Sequence, residues 1–202
     1  MAVETFSTSI TCERSLAKAV LGAVIRAILF QRAFGTIQPS TQQVCGLTLP
    51  CIASSELDSV VDGKVAEIYR TILEYPGASG SSTRTSKTVA LIEFCEEKIR
   101  RTWYSKTIEL SLILGRWPSC NLQWVSREIA WEEYRITLEV ASGQTERERN
   151  KIDAVTKVHL SSFLMALIAF ADTHKSHTPP ITSNAVVPFP WRITVNPPST
   201  GS

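Results

Sequence analysis

The sequence predicts an α+β domain, and three observations carry that reading. Two stretches repeat their apolar residues at helical spacing, a segment near residue 135 alternates strictly, and a third helix opens with a capping signature at Thr145. Three helices and the strands between them read as one domain over residues 1–202. A composition of 44% hydrophobic and 20% charged residues supplies enough apolar side chain for one sizeable core.

Thr5 to Cys12 alternates Phe6, Thr8 and Ile10 against Ser7, Ser9 and Thr11, which predicts a strand with one buried face. In the first helix Leu16, Ala19, Val20, Ala23, Val24, Ala27 and Ile28 recur at helical spacing. Leu21, Ile25 and Leu29 widen its apolar surface, so it should lie deep. Gly35 ends that element, and Val44 to Ile52, broken by Gly46 and Pro50, reads as an edge or irregular strand. Ser55 and Asp58 form a capping box for a second helix, which presents Leu57, Val60, Val61, Val65, Ile68 and Ile72 on one face.

Gly77 to Lys87 is rich in Gly, Ser and Thr and reads as a flexible loop. Val89 to Cys95 resumes an apolar strand. In its partner, Tyr134, Ile136, Leu138 and Val140 point one way, and Glu133, Arg135, Thr137 and Glu139 the other. Thr145 and Glu148 form a second capping box, followed by a long helix with Ile152, Val155 and His159 turned inward. From Phe163 to Ala171 this helix is apolar nearly all round, the pattern of a central helix. Phe189 to Val195 is a last extended piece, and 196–202 a short tail.

Between the paired strands, Glu96 to Tyr104 carries a basic run and then Trp103 and Tyr104. Large exposed rings at a strand connection are suited to holding a partner rather than to chemistry.

Several function classes are excluded at this level. A net charge of +2 is too small to demand a polyanion, so no nucleic acid is expected. Cys12, Cys45, Cys51, Cys95 and Cys120 are scattered and contain no Cys-x-x-Cys pair; they read as buried free thiols in a reducing compartment such as the cytosol or nucleus. Ala19 to Phe30 is too short for a spanning helix, so no transmembrane segment is expected. His174 and His177 suit a helix C-terminus better than a metal site. Neither Cys51 nor Cys95 sits in a turn that would expose it to His159 as a nucleophile, and no phosphate-cradling glycine motif is present. No enzyme activity, cofactor or metal is implied.

The order of elements, with the segments Ala19–Arg32, Ser54–Asp58, Ile92–Trp103, Ile129–Glu132 and Thr145–Arg149, resembles the autophagy-related protein 101 family across most of the chain. That resemblance implies a HORMA domain, with an antiparallel sheet of about three core strands packed against three helices and an aromatic-tipped hairpin. It implies a non-enzymatic scaffold in autophagosome formation, located in the cytoplasm and at the phagophore assembly site. The scaffold would form a heterodimer with the HORMA domain of the autophagy initiation kinase's regulatory subunit, stabilise it, and recruit downstream autophagy factors through an exposed aromatic finger.

The chain departs from the family pattern at the hairpin tip. It reads Trp103-Tyr104 where the family has Trp-Pro-Phe, and an insertion over 105–127 carries its own Trp117-Pro118 with Trp124 beyond. Both assignments of the finger stand: Trp103 with Tyr104, reached without a gap, or Trp117 and Pro118 with Trp124. Two further readings remain, a HORMA adaptor that encloses a peptide with a C-terminal belt, and an unrecognised cytosolic hydrolase. The seven residues after Val195 are too few for a belt that crosses the domain.

Overall fold

The structure is a computed structural model, and it describes residues 3–74, 86–103, 122–181 and 183–196. Its elements in chain order are β1 (Glu4–Glu13), α1 (Ala17–Gln31), β2 (Pro39–Val44), β3 (Leu47–Ile52), α2 (Ser55–Glu74), β4 (Ser86–Trp103), β5 (Leu122–Ala141), α3 (Glu146–Thr173), a single 3₁₀ turn (Lys175–His177) and β6 (Trp191–Val195).

Four strands form one sheet in the order β1-β5-β4-β6, and β2 and β3 form a separate hairpin. The α+β class holds, but the sheet is mixed rather than antiparallel. β4 runs antiparallel to β5 and β6, whereas β1 lies parallel to β5, pairing Glu4 with Glu132 through to Glu13 with Ala141. The cause is connectivity. β1 and β5 are separated by two helices, a hairpin and a strand, a crossover long enough to return the chain in the same direction.

α1 is buried from Val20 to Leu29 save for a partly exposed Arg26, and it packs against α2, α3, β1 and β3. Gly22 makes room for that arginine. A Cβ there would meet Arg26 Nη1 at 2.8 Å, and the guanidinium instead crosses to Asp58 and Asp62 of α2 at 2.7 and 2.6 Å. Asp58 therefore pairs with α1 rather than closing a capping box. It is the Ser54 hydroxyl, one residue before the predicted cap, that accepts from the Leu57 amide at 3.4 Å.

The predicted irregular strand at 44–52 is a hairpin. Its polar first arm, Pro39–Val44, carries no apolar alternation, so nothing in the pattern marked it as a strand. Cys45 and Gly46 turn it with φ of 51° and 70°, a left-handed pair suited to a two-residue hairpin loop.

The inward residues of β5 are those the alternation picked out. Tyr134, Ile136, Leu138 and Val140 join Phe6, Ile10, Ile92, Phe94 and Ile193 in one core. The capping box of α3 is also present: Thr145 Oγ1 accepts from the Glu148 amide, and the Glu148 carboxylate accepts from the Thr145 amide at 3.1 Å. The rest of α3 differs from expectation. It is no central helix, because only Thr156, Leu160, Phe163, Leu167 and Ala171 are buried while Val155, Met165 and Ile168 face outward. It lies along β1, where His159 Nδ1 accepts from the Thr11 amide at 3.1 Å and Thr156 Oγ1 donates to the Thr11 carbonyl at 3.0 Å. Among the described residues α3 is also the one helix long and apolar enough, by length and composition, to cross a bilayer.

Candidate functional site

Two surfaces and the buried joint between them make up the site. The first surface is a two-stranded ribbon. β4 and β5 pair continuously from Ser86 with Val140 out to Trp103 with Leu122, but β6 stops at Phe94 and β1 begins opposite Glu132. Beyond that line, among the described residues, the ribbon alone continues, for nine residue pairs from Cys95–Ala130 to Trp103–Leu122.

Trp103 ends β4 at the far end of this ribbon, and Trp124 lies on β5 opposite Arg101, two pairs back along the facing strand. One residue of each finger assignment, Trp103 and Trp124, thus lies on this ribbon. Tyr104, Trp117 and Pro118 lie outside the described residues. The returning strand starts at Leu122, so the last six residues of the 105–127 insertion belong to the ribbon. Likewise Ser86 and Lys87 of the predicted loop belong to β4, and the rest of that loop lies outside the described residues.

The joint is a bulge. Phe94 pairs with Glu132 and Cys95 with Ala130, which leaves Trp131 as the extra residue. Strict alternation would turn Trp131 outward, yet it and Glu132 are both buried, at 6% and 0% exposure. Glu132 accepts from Arg32, the C-cap of α1, through two bonds: Nε to Oε2 at 2.6 Å and Nη2 to Oε1 at 2.5 Å. Burial works against the Arg32 charge, but these bonds outweigh it and hold the guanidinium above its ordinary value.

His177 Nε2 stands 3.3 Å from Glu132 Oε1, and its ring packs 5.2 Å from that of Trp131. Tyr134 is pushed above the usual phenol range by burial and by Glu132 beside it. Among the described residues its hydroxyl, Trp131 Nε1 and His177 Nδ1 have no hydrogen-bond partner. Sequence reading did not find the joint. Its one signal was a glutamate at an inward phase of β5.

The second surface is the outer face of α3. Val155, Val158, Met165 and Ile168 are exposed at 42, 66, 68 and 46%, four of the nine exposed large apolar residues among those described. Ser161, Ser162, Ala166 and Ala169 fill the rest, so no charge interrupts the face from Val158 to Ala169. Next to its C-terminal end, Gln31, Arg32, Phe34, Ile168, Ala171 and Asp172 help to line a cleft of about 290 Å³. His174 caps the helix, with Nδ1 3.0 Å from the Phe170 carbonyl, in keeping with the helix-terminus reading.

The last strand is clasped to the sheet. Arg192 donates to both carboxylate oxygens of Glu93 at 2.7 and 2.8 Å, which draws Glu93 below its ordinary value, and Asn196 bonds Val89 in both directions. Cys12, Cys51 and Cys95 are buried; burial pushes the Cys12 thiol up to about 12, and Cys45 and Cys95 are raised too, chiefly by burial.

A family model described as autophagy-related protein 101 matches residues 9–185. The protein of that name from Arabidopsis thaliana is 24% identical over 180 residues, spanning 87% of this chain and 79% of its own length. The one from Schizosaccharomyces pombe is 30% identical over 87 residues, 43% of each chain.

Proposed function

The chain belongs to the autophagy-related protein 101 family, whose role is in autophagy, and from that premise we propose that it is a non-enzymatic scaffold for autophagosome formation. It pairs through the outer face of α3 with the HORMA domain of the initiation kinase's regulatory subunit and stabilises that subunit. It recruits downstream factors through the β4–β5 ribbon while it works in the cytoplasm and at the phagophore assembly site.

The observation that carries this reading is the uncharged apolar face of α3. Four large exposed apolar side chains aligned on one helix make a patch that a stable protein normally keeps covered. The ribbon supports the second half: it extends away from that helix's sheet and ends at Trp103, and large rings concentrate binding energy. Catalysis finds no support in the raised thiols. The clasp of β6 on β4 favours one fixed topology over a peptide-enclosing belt.

Co-purification of variants tests the proposal. Val158→Asp should abolish capture of the regulatory subunit. Trp103→Ala with Tyr104→Ala should leave that capture intact and lose downstream factors. If the ring variant still recruits, the test repeats at Trp117 and Trp124; recruitment that survives loss of all four rings rejects the finger.

A further inference from the structure

We propose that the outer face of α3 is self-complementary and pairs this chain with a second copy of itself, antiparallel about a two-fold axis, when the regulatory subunit is absent. This rests on the reading of that face as a docking surface and adds a competitor for it.

The spacing along α3 is heptad-like. Lys151, Val158, Met165 and Asp172 recur every seven residues, with Ala154-Val155, Ser161-Ser162 and Ile168-Ala169 between them. The buried residues Thr156, Leu160, Phe163, Leu167 and Ala171 take the opposite side, so the helix has one seam for the sheet and another left open. From Lys151 to Asp172 the open seam runs roughly 32 Å at 1.5 Å per residue.

The open seam also reads the same from both ends. A two-fold axis between Ser161 and Ser162 sets Val158 against Met165, Val155 against Ile168, Ala154 against Ala169 and Lys151 against Asp172. An isologous contact demands this reciprocity, in which each residue faces the one that faces it. Small residues at 154, 161, 162 and 169 let the helices approach closely, and the antiparallel order opposes their dipoles. A parallel pair would instead stack Lys151 on Lys151 and Asp172 on Asp172. In the monomer Asp172 pairs with Lys175 three residues on, and both side chains are exposed, so exchanging that partner costs little. A lipid surface suits the seam less well, with serines at its midpoint and an aspartate at one end.

The test is sedimentation of the full chain over a wide concentration range. Wild type should approach a dimer. Lys151→Asp or Asp172→Lys alone should weaken it about tenfold, since two-fold symmetry makes each like-charge contact twice. The double exchange, Lys151→Asp with Asp172→Lys, should restore it. Wild type that stays monomeric, or a double exchange no better than either single change, overturns the proposal. So does flotation with neutral phosphatidylcholine vesicles that depends on Val158. If wild type is monomeric yet Val158→Asp still loses the regulatory subunit, self-pairing is wrong and the heterodimer stands. If Val158→Asp impairs neither self-pairing nor capture, both readings fall.

Discussion

Removing Glu132 should cost far more than an ordinary ion pair. Its carboxylate is fully buried, and the guanidinium it holds is 3% exposed, so Glu132→Ala strands a positive charge that water does not reach. Breaking one side of such a pair typically destabilises by about 3–5 kcal/mol. Against a total stability of roughly 5–15 kcal/mol the variant should still fold, with little in reserve. Replacing both partners, Arg32→Met with Glu132→Leu, removes the stranded charge and should return stability close to wild type or above it. Urea unfolding reads this directly: with a slope of about 2 kcal/mol per molar, the single variant's midpoint should drop by about 2 M. A loss under about 1 kcal/mol would mean the pair behaves as a solvated surface bridge. A double variant as weak as Glu132→Ala would place the cost in packing rather than in unpaired charge. Either result refutes the account of the joint.

Two further outcomes follow from the geometry. Thr145→Ala opens the capping box of α3 and should lower thermal stability by about 1 kcal/mol in calorimetry, with Thr145→Ser recovering most of it. Glu93, drawn down by Arg192, contributes stability that is complete above the ordinary value of 4.5 and fades as pH falls through its lower folded-state value. Protection factors for amide exchange at β6, corrected for the intrinsic rate at each pH, should therefore fall in that acid window, and Glu93→Gln should remove the fall.

Elements with a local signal were legible in the sequence. β5 showed its inward residues because one face meets core and the other meets water, and α3 announced its start because a capping box is four residues long. What was missed depends on distant partners. Arg32 and Glu132 lie 100 residues apart, so no window contains both. The parallel lie of β1 is a property of the crossover and leaves no mark within the strand. Val155 reads as core because an apolar residue on a helix points inward by default, and composition alone does not separate an exposed apolar position from a buried one. That Trp103 and Trp124 stand two pairs apart on facing strands is a matter of register, which no stretch of sequence shows by itself.

That ribbon has a mechanical consequence. At about 3.4 Å per residue, nine pairs carry Trp103 roughly 31 Å past the last four-stranded row. A lone pair of strands holds its shape poorly in water, so whatever grips the tip must also steady the stalk. If factors are captured there as proposed, they would register a weaker pull than ring contacts alone suggest, and a brace placed along the stalk should tighten their hold without touching them.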